Sequence, residues 1–114
     1  MKYFNEEQMA DFRRSFESRI DGWPDVSQKK MFGVLNYLAG GKMFAFLVTD
    51  GLVITNLSQQ EREAIADRYE SESFQAGNRR VGSWLKVTLA SLADILDLLP
   101  AVKVSYHAAL EKKN

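Results

Sequence analysis

Residues 31–57, MFGVLNYLAGGKMFAFLVTDGLVITNL, read as consecutive strands joined by tight turns, with helices and a ribbon arranged around them. Gly40-Gly41 can adopt the positive φ angles that a two-residue hairpin turn needs, and Asp50-Gly51 is a second favoured turn pair. Between them, Met43-Phe44-Ala45-Phe46-Leu47-Val48 is a continuous apolar run, the pattern of a strand buried on both faces. A buried helical segment would have the same composition, but the glycines on either side favour a strand. The flanking runs, Met31 to Leu38 and Leu52 to Leu57, are more mixed, and Gly33 predicts a bulge or a close backbone approach. The stretch predicts a three-strand antiparallel meander with the apolar run in the middle.

Upstream, Asn5 and Gln8 have capping-box spacing, and Glu6 and Glu7 suit the positive end of a helix dipole. Met9, Phe12, Phe16 and Ile20 follow as one apolar stripe. The helix is expected to end near Asp21-Gly22, with Trp23-Pro24-Asp25 as a rigid exit and Val26 to Lys30 leading into the meander.

Downstream, Ser58 with Glu61 predicts a second capping box, opening a charged helix from Gln59 to about Glu70. That helix offers only Ala64, Ile65, Ala66 and Tyr69 for burial. Residues 71–82 are irregular, with a short strand about Phe74 and a turn at Gly77-Asn78; Trp84 to Thr88 alternates as a strand. Leu92, Ile95, Leu96 and Leu99 mark a short helix that Pro100 is expected to interrupt. Val102, Tyr106, Ala109 and Leu110 then resume the helical spacing. The order helix, three strands, helix, two short strands, helix predicts a single α+β domain over residues 1–114, a two-layer sandwich with helices covering an antiparallel sheet.

The totals narrow the chemistry. The 114 residues carry 15 basic and 15 acidic side chains, so the net charge is zero, unlike that of a strongly basic nucleic-acid-binding domain. There is no cysteine, which excludes disulfides, thiolate nucleophiles, Cys-ligated zinc and iron–sulfur clusters. The amino terminus lacks a signal-peptide core and no run of eighteen apolar residues occurs, so a cytoplasmic protein without membrane contact is expected.

Lys30-Met31-Phe32-Gly33, Tyr37, Gly41-Lys42-Met43-Phe44-Ala45-Phe46 and Asp50-Gly51-Leu52 resemble the N-terminal domain of TfoX/Sxy-type proteins. Leu57-Ser58, Glu61-Arg62, Phe74, Trp84, Ser105-Tyr106 and Ala109-Leu110 continue the match over nearly the whole chain. The resemblance implies a two-layer domain similar to the secretion-chaperone-like fold, and a link to natural competence, where TfoX-type proteins act as transcriptional co-regulators. Those regulators carry a second, C-terminal domain, and this chain is expected to be a stand-alone first domain. Met31, Phe32, Gly33, Tyr37, Gly41, Lys42, Met43, Phe44, Asp50, Gly51 and Trp84 are the family-motif residues, read as structural.

No residue pattern assigns a catalytic, metal or cofactor site. His107, the single histidine, has no nucleophile or orienting partner legible in the sequence and reads as structural. Asp94, Asp97 and Glu111 fit no metal-ligand spacing, and Gly40-Gly41-Lys42 lacks the longer loop and following helix of a phosphate cradle. Lys29, Lys30, Lys42, Arg79 and Arg80 are the candidate nucleic-acid contacts, with Trp84 as an aromatic platform. Glu70 and Glu72 dilute that charge.

The expected function is therefore a non-enzymatic protein-interaction module, a regulatory or competence-related accessory protein with an unidentified protein partner and a capacity to homodimerise. A nucleic-acid-binding accessory protein using the basic loop is the alternative. A small-molecule-binding or hydrolytic domain is the second.

Overall fold

Gly40 and Gly41 take φ angles of 58° and 83°, closing the hairpin between β2 (Val34–Ala39) and β3 (Lys42–Val48). They belong to a computed structural model that describes residues 6–31, 34–49, 51–76 and 79–111, without the side chains of residues 6–8, 31, 75–76 and 79–83. The readings of Asn5, Phe32, Gly33, Asp50 and Gly77-Asn78 lie outside the described residues.

Every residue of β3 from Phe44 to Val48 is buried, as its apolar run predicts. β4 (Gly51–Ile54) pairs antiparallel with β3 and is also buried throughout. Gly51 is needed there for space, not for a left-handed backbone. A Cβ on it would lie 3.2 Å from the Val87 carbonyl oxygen, 3.0 Å from Lys86 Cε and 3.3 Å from Val48 Cγ2.

The α+β class holds, and the meander gains a strand. β1 (Val26–Met31) pairs antiparallel with β2, where the sequence predicts only a lead-in. Its residues Ser27 to Lys30 are exposed on both faces, so no hydrophobic alternation marks them as a strand. Lysines along an open edge also discourage pairing with another sheet. β5 (Ser71–Ala76) and β6 (Arg79–Thr88) complete a six-stranded antiparallel sheet in the order β1-β2-β3-β4-β6-β5.

Two register irregularities shape that sheet. Tyr37 pairs with Ala45 but Leu38 pairs with Met43, so one step on β2 matches two on β3 and Phe44 is the extra residue of a bulge. Across the sheet, Ser73 pairs with Leu85 but Phe74 with Val81, so β6 carries three extra residues against β5. Flat strands spaced about 4.8 Å apart would put β5 about 14 Å from β3. The Phe74 ring nevertheless lies 5.1 Å from Phe46 and 6.1 Å from Trp84, centroid to centroid. The sheet therefore curls at this edge, closing Phe74 and Trp84 over Phe46.

The helices supply the second layer. α1 (Glu6–Ile20) buries Met9, Phe16 and Ile20 completely or nearly so, with Phe12 packed beside them, and rests against α3. α2 (Gln59–Ala66) is shorter than expected and buries Ile65 alone. Its capping box is present, with Glu61 N–H donating to Ser58 Oγ at 3.1 Å and Ser58 N–H to Glu61 Oε1 at 2.9 Å.

α3 (Leu92–Glu111) corrects the sequence reading at Pro100. It runs unbroken through Pro100, and its buried row is Ile95, Leu98, Val102, Ser105, Tyr106 and Ala109, lying across β2, β3 and β4. Pro100 is exposed, on the side where surface helices bow outward and their hydrogen bonds are weakest. A proline there loses least, and the buried row holds the helix together past it.

Candidate functional site

Two polar clusters and one apolar ridge are the places where chemistry or binding could reside. The first cluster joins α1 to β2. The Tyr37 hydroxyl donates to Glu17 Oε2 at 2.9 Å, and Arg13 Nε donates to the same oxygen at 2.9 Å. Glu17 also lines two surface cavities, about 300 Å³ beside Ala10, Arg13 and Arg14, and about 360 Å³ beside Ile20, Asp21, Val26, Ser27 and Gln28. Burial pushes the Tyr37 phenol far above the ordinary tyrosine value; the hydrogen bond to Glu17 and that carboxylate's charge add to it, and Arg13 opposes them. A phenol held so firmly in its protonated form is a donor and an anchor, not a base.

That anchor has a pH signature. The unfolded phenol loses its proton near pH 10 while the folded one keeps it, so this contribution to stability is complete below about pH 10. Above that point it is expected to fall by about 1.4 kcal/mol per pH unit. Urea midpoints measured from neutral to strongly alkaline pH check this. Tyr37→Phe should remove that part of the alkaline slope.

The second cluster surrounds the bulge at Phe44. Beside the bulge, the carbonyls of Met43 and Phe44 accept from side chains just beyond β4 and from α3, and Phe44 also keeps a backbone bond in register with β4. Met43 O accepts from Thr55 Oγ1 at 3.1 Å and Asn56 Nδ2 at 3.0 Å. Phe44 O accepts from Ser105 Oγ at 2.6 Å and from the Thr55 amide at 3.3 Å. Ser105 Oγ in turn accepts from the Asn56 amide at 3.0 Å. Each group answers another within the fold, so this cluster is a structural joint. No local signal marks the joint, because Ser105 stands 61 positions from the Phe44 carbonyl it serves.

The family-motif residues sit in the same framework. Tyr37 is edge-on to Phe16 at 4.9 Å, while Phe44 packs edge-on against Tyr106 at 5.5 Å and lies 6.3 Å from Trp23. Gly41 is in the turn, Met43 is half-buried beside it, Gly51 fills the close approach, and Trp84 lies 5.7 Å from Phe46.

The basic candidates fall in separate places. Lys29 and Lys30 are consecutive on β1 and so point to opposite faces of the sheet. Lys42 lies opposite Ala39, which pairs with Val26, four positions from Lys30. Arg79 and Arg80 open β6, which β4, β3 and β2 separate from β1 in the sheet; their side chains lie outside the described residues.

The acidic candidates are engaged locally. Asp94 Oδ2 accepts from the amides of Ala90 at 2.8 Å and Ser91 at 3.1 Å, capping the start of α3. Asp97 accepts from the Tyr69 hydroxyl at 3.1 Å. His107 is exposed with its ring 5.2 Å from Tyr106. Among the described residues no three His, Asp or Glu side chains group to hold a metal ion, and no helix is long and apolar enough to cross a membrane.

The ridge is the remaining feature. Among the described residues, the large hydrophobic side chains left exposed are Leu92, Leu96, Val104 and Leu110, at 47%, 44%, 40% and 37%, and all four stand on α3. In the sequence, Leu92, Leu96 and Leu110 mark helical spacing without saying which way they face. The structure turns them to solvent.

Residues 18–109 match the sequence profile of the TfoX N-terminal domain, spanning the joint, the sheet and all but the end of α3. The chain belongs to the TfoX N-terminal domain family. No curated protein and no solved structure matches it. The match covers every element from the end of α1 onward, so the TfoX N-terminal domain here includes the Phe44 bulge, its partner Ser105 and the α3 ridge.

Proposed function

We propose that this TfoX N-terminal domain is a non-enzymatic protein-interaction module with a regulatory, competence-related role, and that the outer face of α3 is its docking surface. One observation carries the reading: the exposed large hydrophobics of the described residues are gathered on a single helix. Scattered exposed leucines are ordinary, but a contiguous apolar patch costs hydration and marks an interaction site. Family membership supports the regulatory half of the reading.

The test compares the tagged protein with its Leu96→Glu variant in capture from native lysate at low and high salt. Leu96 is exposed, so the variant should fold with an unchanged circular dichroism spectrum. The expected result is a protein retained by the wild type through high salt and reduced about tenfold or more by Leu96→Glu, the loss associated with an interface anchor. Capture that Leu96→Glu leaves intact would overturn the assignment to α3. Nucleic acid held at low salt and released at high salt would replace it with binding through the basic residues.

A further inference from the structure

We infer that the open edge of β1 takes an extended segment of another protein as an added strand, one that sets an acidic residue against Lys29 and an arginine or lysine over the cleft between β1 and α1. The residues involved stand apart from α3, so the inference is independent of the docking role given to that helix.

β1 is the outermost strand at its end of the sheet and pairs on one side only, with β2. The Gly40 amide donates to the Asp25 carbonyl at 3.1 Å, and the register continuing from this pair sets Ser27 against Leu38 and Lys29 against Asn36. Bonded pairs alternate along an antiparallel ladder, so Ser27 and Lys29 direct their N–H and C=O groups at β2. Val26 and Gln28 direct theirs outward. Their backbone groups therefore line an edge where a further strand can bond them.

The two faces of that edge ask for opposite charges. Gln28 pairs with Tyr37, whose hydroxyl reaches Glu17 of α1, so Gln28 lies on the helix-covered face of the sheet and Lys29 on the other. Side chains of a strand laid beside β1 alternate in the same way. The residue opposite Gln28 stands over the cleft of about 360 Å³ that Val26, Ser27 and Gln28 form with Glu17, Ile20 and Asp21. The cleft combines two carboxylates, four positions apart on α1, with the apolar Ile20 and Val26. That lining suits the aliphatic stem and cationic head of an arginine or lysine. Both hydrogen bonds that Glu17 receives from Arg13 and Tyr37 fall on Oε2. The neighbouring residue of the added strand points to the other face, beside the exposed Lys29, where an acid fits. The lysine that discourages pairing with a like edge thus selects an acid-bearing one.

The probe is the blocked peptide Thr-Val-Glu-Arg-Thr-Val-Thr, which in antiparallel register sets its arginine opposite Gln28 and its glutamate opposite Lys29. So few backbone bonds make a weak complex, with an expected Kd of about 0.1–1 mM. Amide NMR spectra of the whole chain, titrated with peptide to about 5 mM, read it directly. The Val26 and Gln28 amides should shift saturably. Methylating the backbone nitrogen of the peptide's arginine, which points at β1, should abolish binding, whereas methylating the following threonine, which points away, should spare it. Changing the peptide's arginine to glutamate, or its glutamate to arginine, should weaken binding about fivefold or more. Lys29→Glu should lose the probe and gain the peptide with arginine at both places. Val26 and Gln28 amides that stay still, an arginine-methylated peptide that binds as well, or charge changes without effect would overturn the inference. Leu96→Glu should bind the probe as the wild type does; loss of the probe there would move its site to α3 and overturn the inference too. If the probe fails while capture through Leu96 persists, the β1 site falls and the docking role of α3 stands.

Discussion

Phe44→Ala is expected to destabilise the fold by about 3–5 kcal/mol, the range for deleting a fully buried aromatic ring. The ring is completely buried and is flanked by Tyr106 at 5.5 Å and Trp23 at 6.3 Å, which are themselves 4.9 Å apart. Those neighbours cannot close the gap easily. Trp23 follows the end of α1, where its amide donates to the Ile20 carbonyl at 3.0 Å, and the Tyr106 hydroxyl is tied to the Pro24 carbonyl at 2.6 Å. A cavity held open by anchored walls keeps its full cost. The urea midpoint measures the loss, and Phe44→Leu should recover more than half of it by refilling most of the volume. A midpoint unchanged in Phe44→Ala would mean that the bulge does not aim this ring into the core.

Ser105→Ala should cost about 2–3 kcal/mol although it removes one oxygen atom. Ser105 is fully buried, and its hydroxyl gives its proton to the Phe44 carbonyl while taking one from the Asn56 amide. Alanine fits the space but takes the Ser105 bond from both backbone groups, leaving the Phe44 carbonyl with the Thr55 amide at 3.3 Å in a region with little water. An ordinary serine-to-alanine change on the surface would fall within about 0.5 kcal/mol, so denaturation curves separate the two cases. Hydrogen exchange adds a local reading: the Asn56 amide should lose protection in Ser105→Ala beyond the global loss of stability.

How far the sequence carried the fold depended on whether a residue's neighbours in sequence were also its neighbours in space. Gly40-Gly41, the β3 run, the α1 stripe of Met9, Phe16 and Ile20, and the Ser58–Glu61 box are all local signals, and the structure contains each of them. β1 escaped because Ser27 to Lys30 are exposed on both faces, so burial imposes no alternation on them. The bulge escaped because the residue that answers it, Ser105, lies 61 positions away. The inner face of α3 was illegible for another reason. Leu92, Ile95, Leu96, Leu98 and Leu99 put apolar residues on both of its sides, so periodicity cannot choose the inner face. Only the packing of Ile95 and Leu98 against the sheet identifies Leu92 and Leu96 as the outer ones. The ridge was hidden in the sequence by that same surplus of leucine, and Pro100 drew attention as a break when it stands at the ridge's centre.

The reach of α3's bonds has a consequence for how the chain is made. The Tyr106 hydroxyl bonds Pro24 across 82 positions, Ser105 bonds Phe44 across 61, and Ser105 takes the Asn56 amide across 49. A ribosome delivers the meander long before it delivers residue 105. Until then the Phe44 carbonyl lacks its donor from α3, and the face of β2 and β3 that α3 covers stays open. Contacts of such long separation form late and slowly. Newly synthesised chains must therefore wait, with their most apolar strand half-clothed, for α3 to leave the exit tunnel; this is the interval in which a nascent copy is most exposed to aggregation and to chaperones.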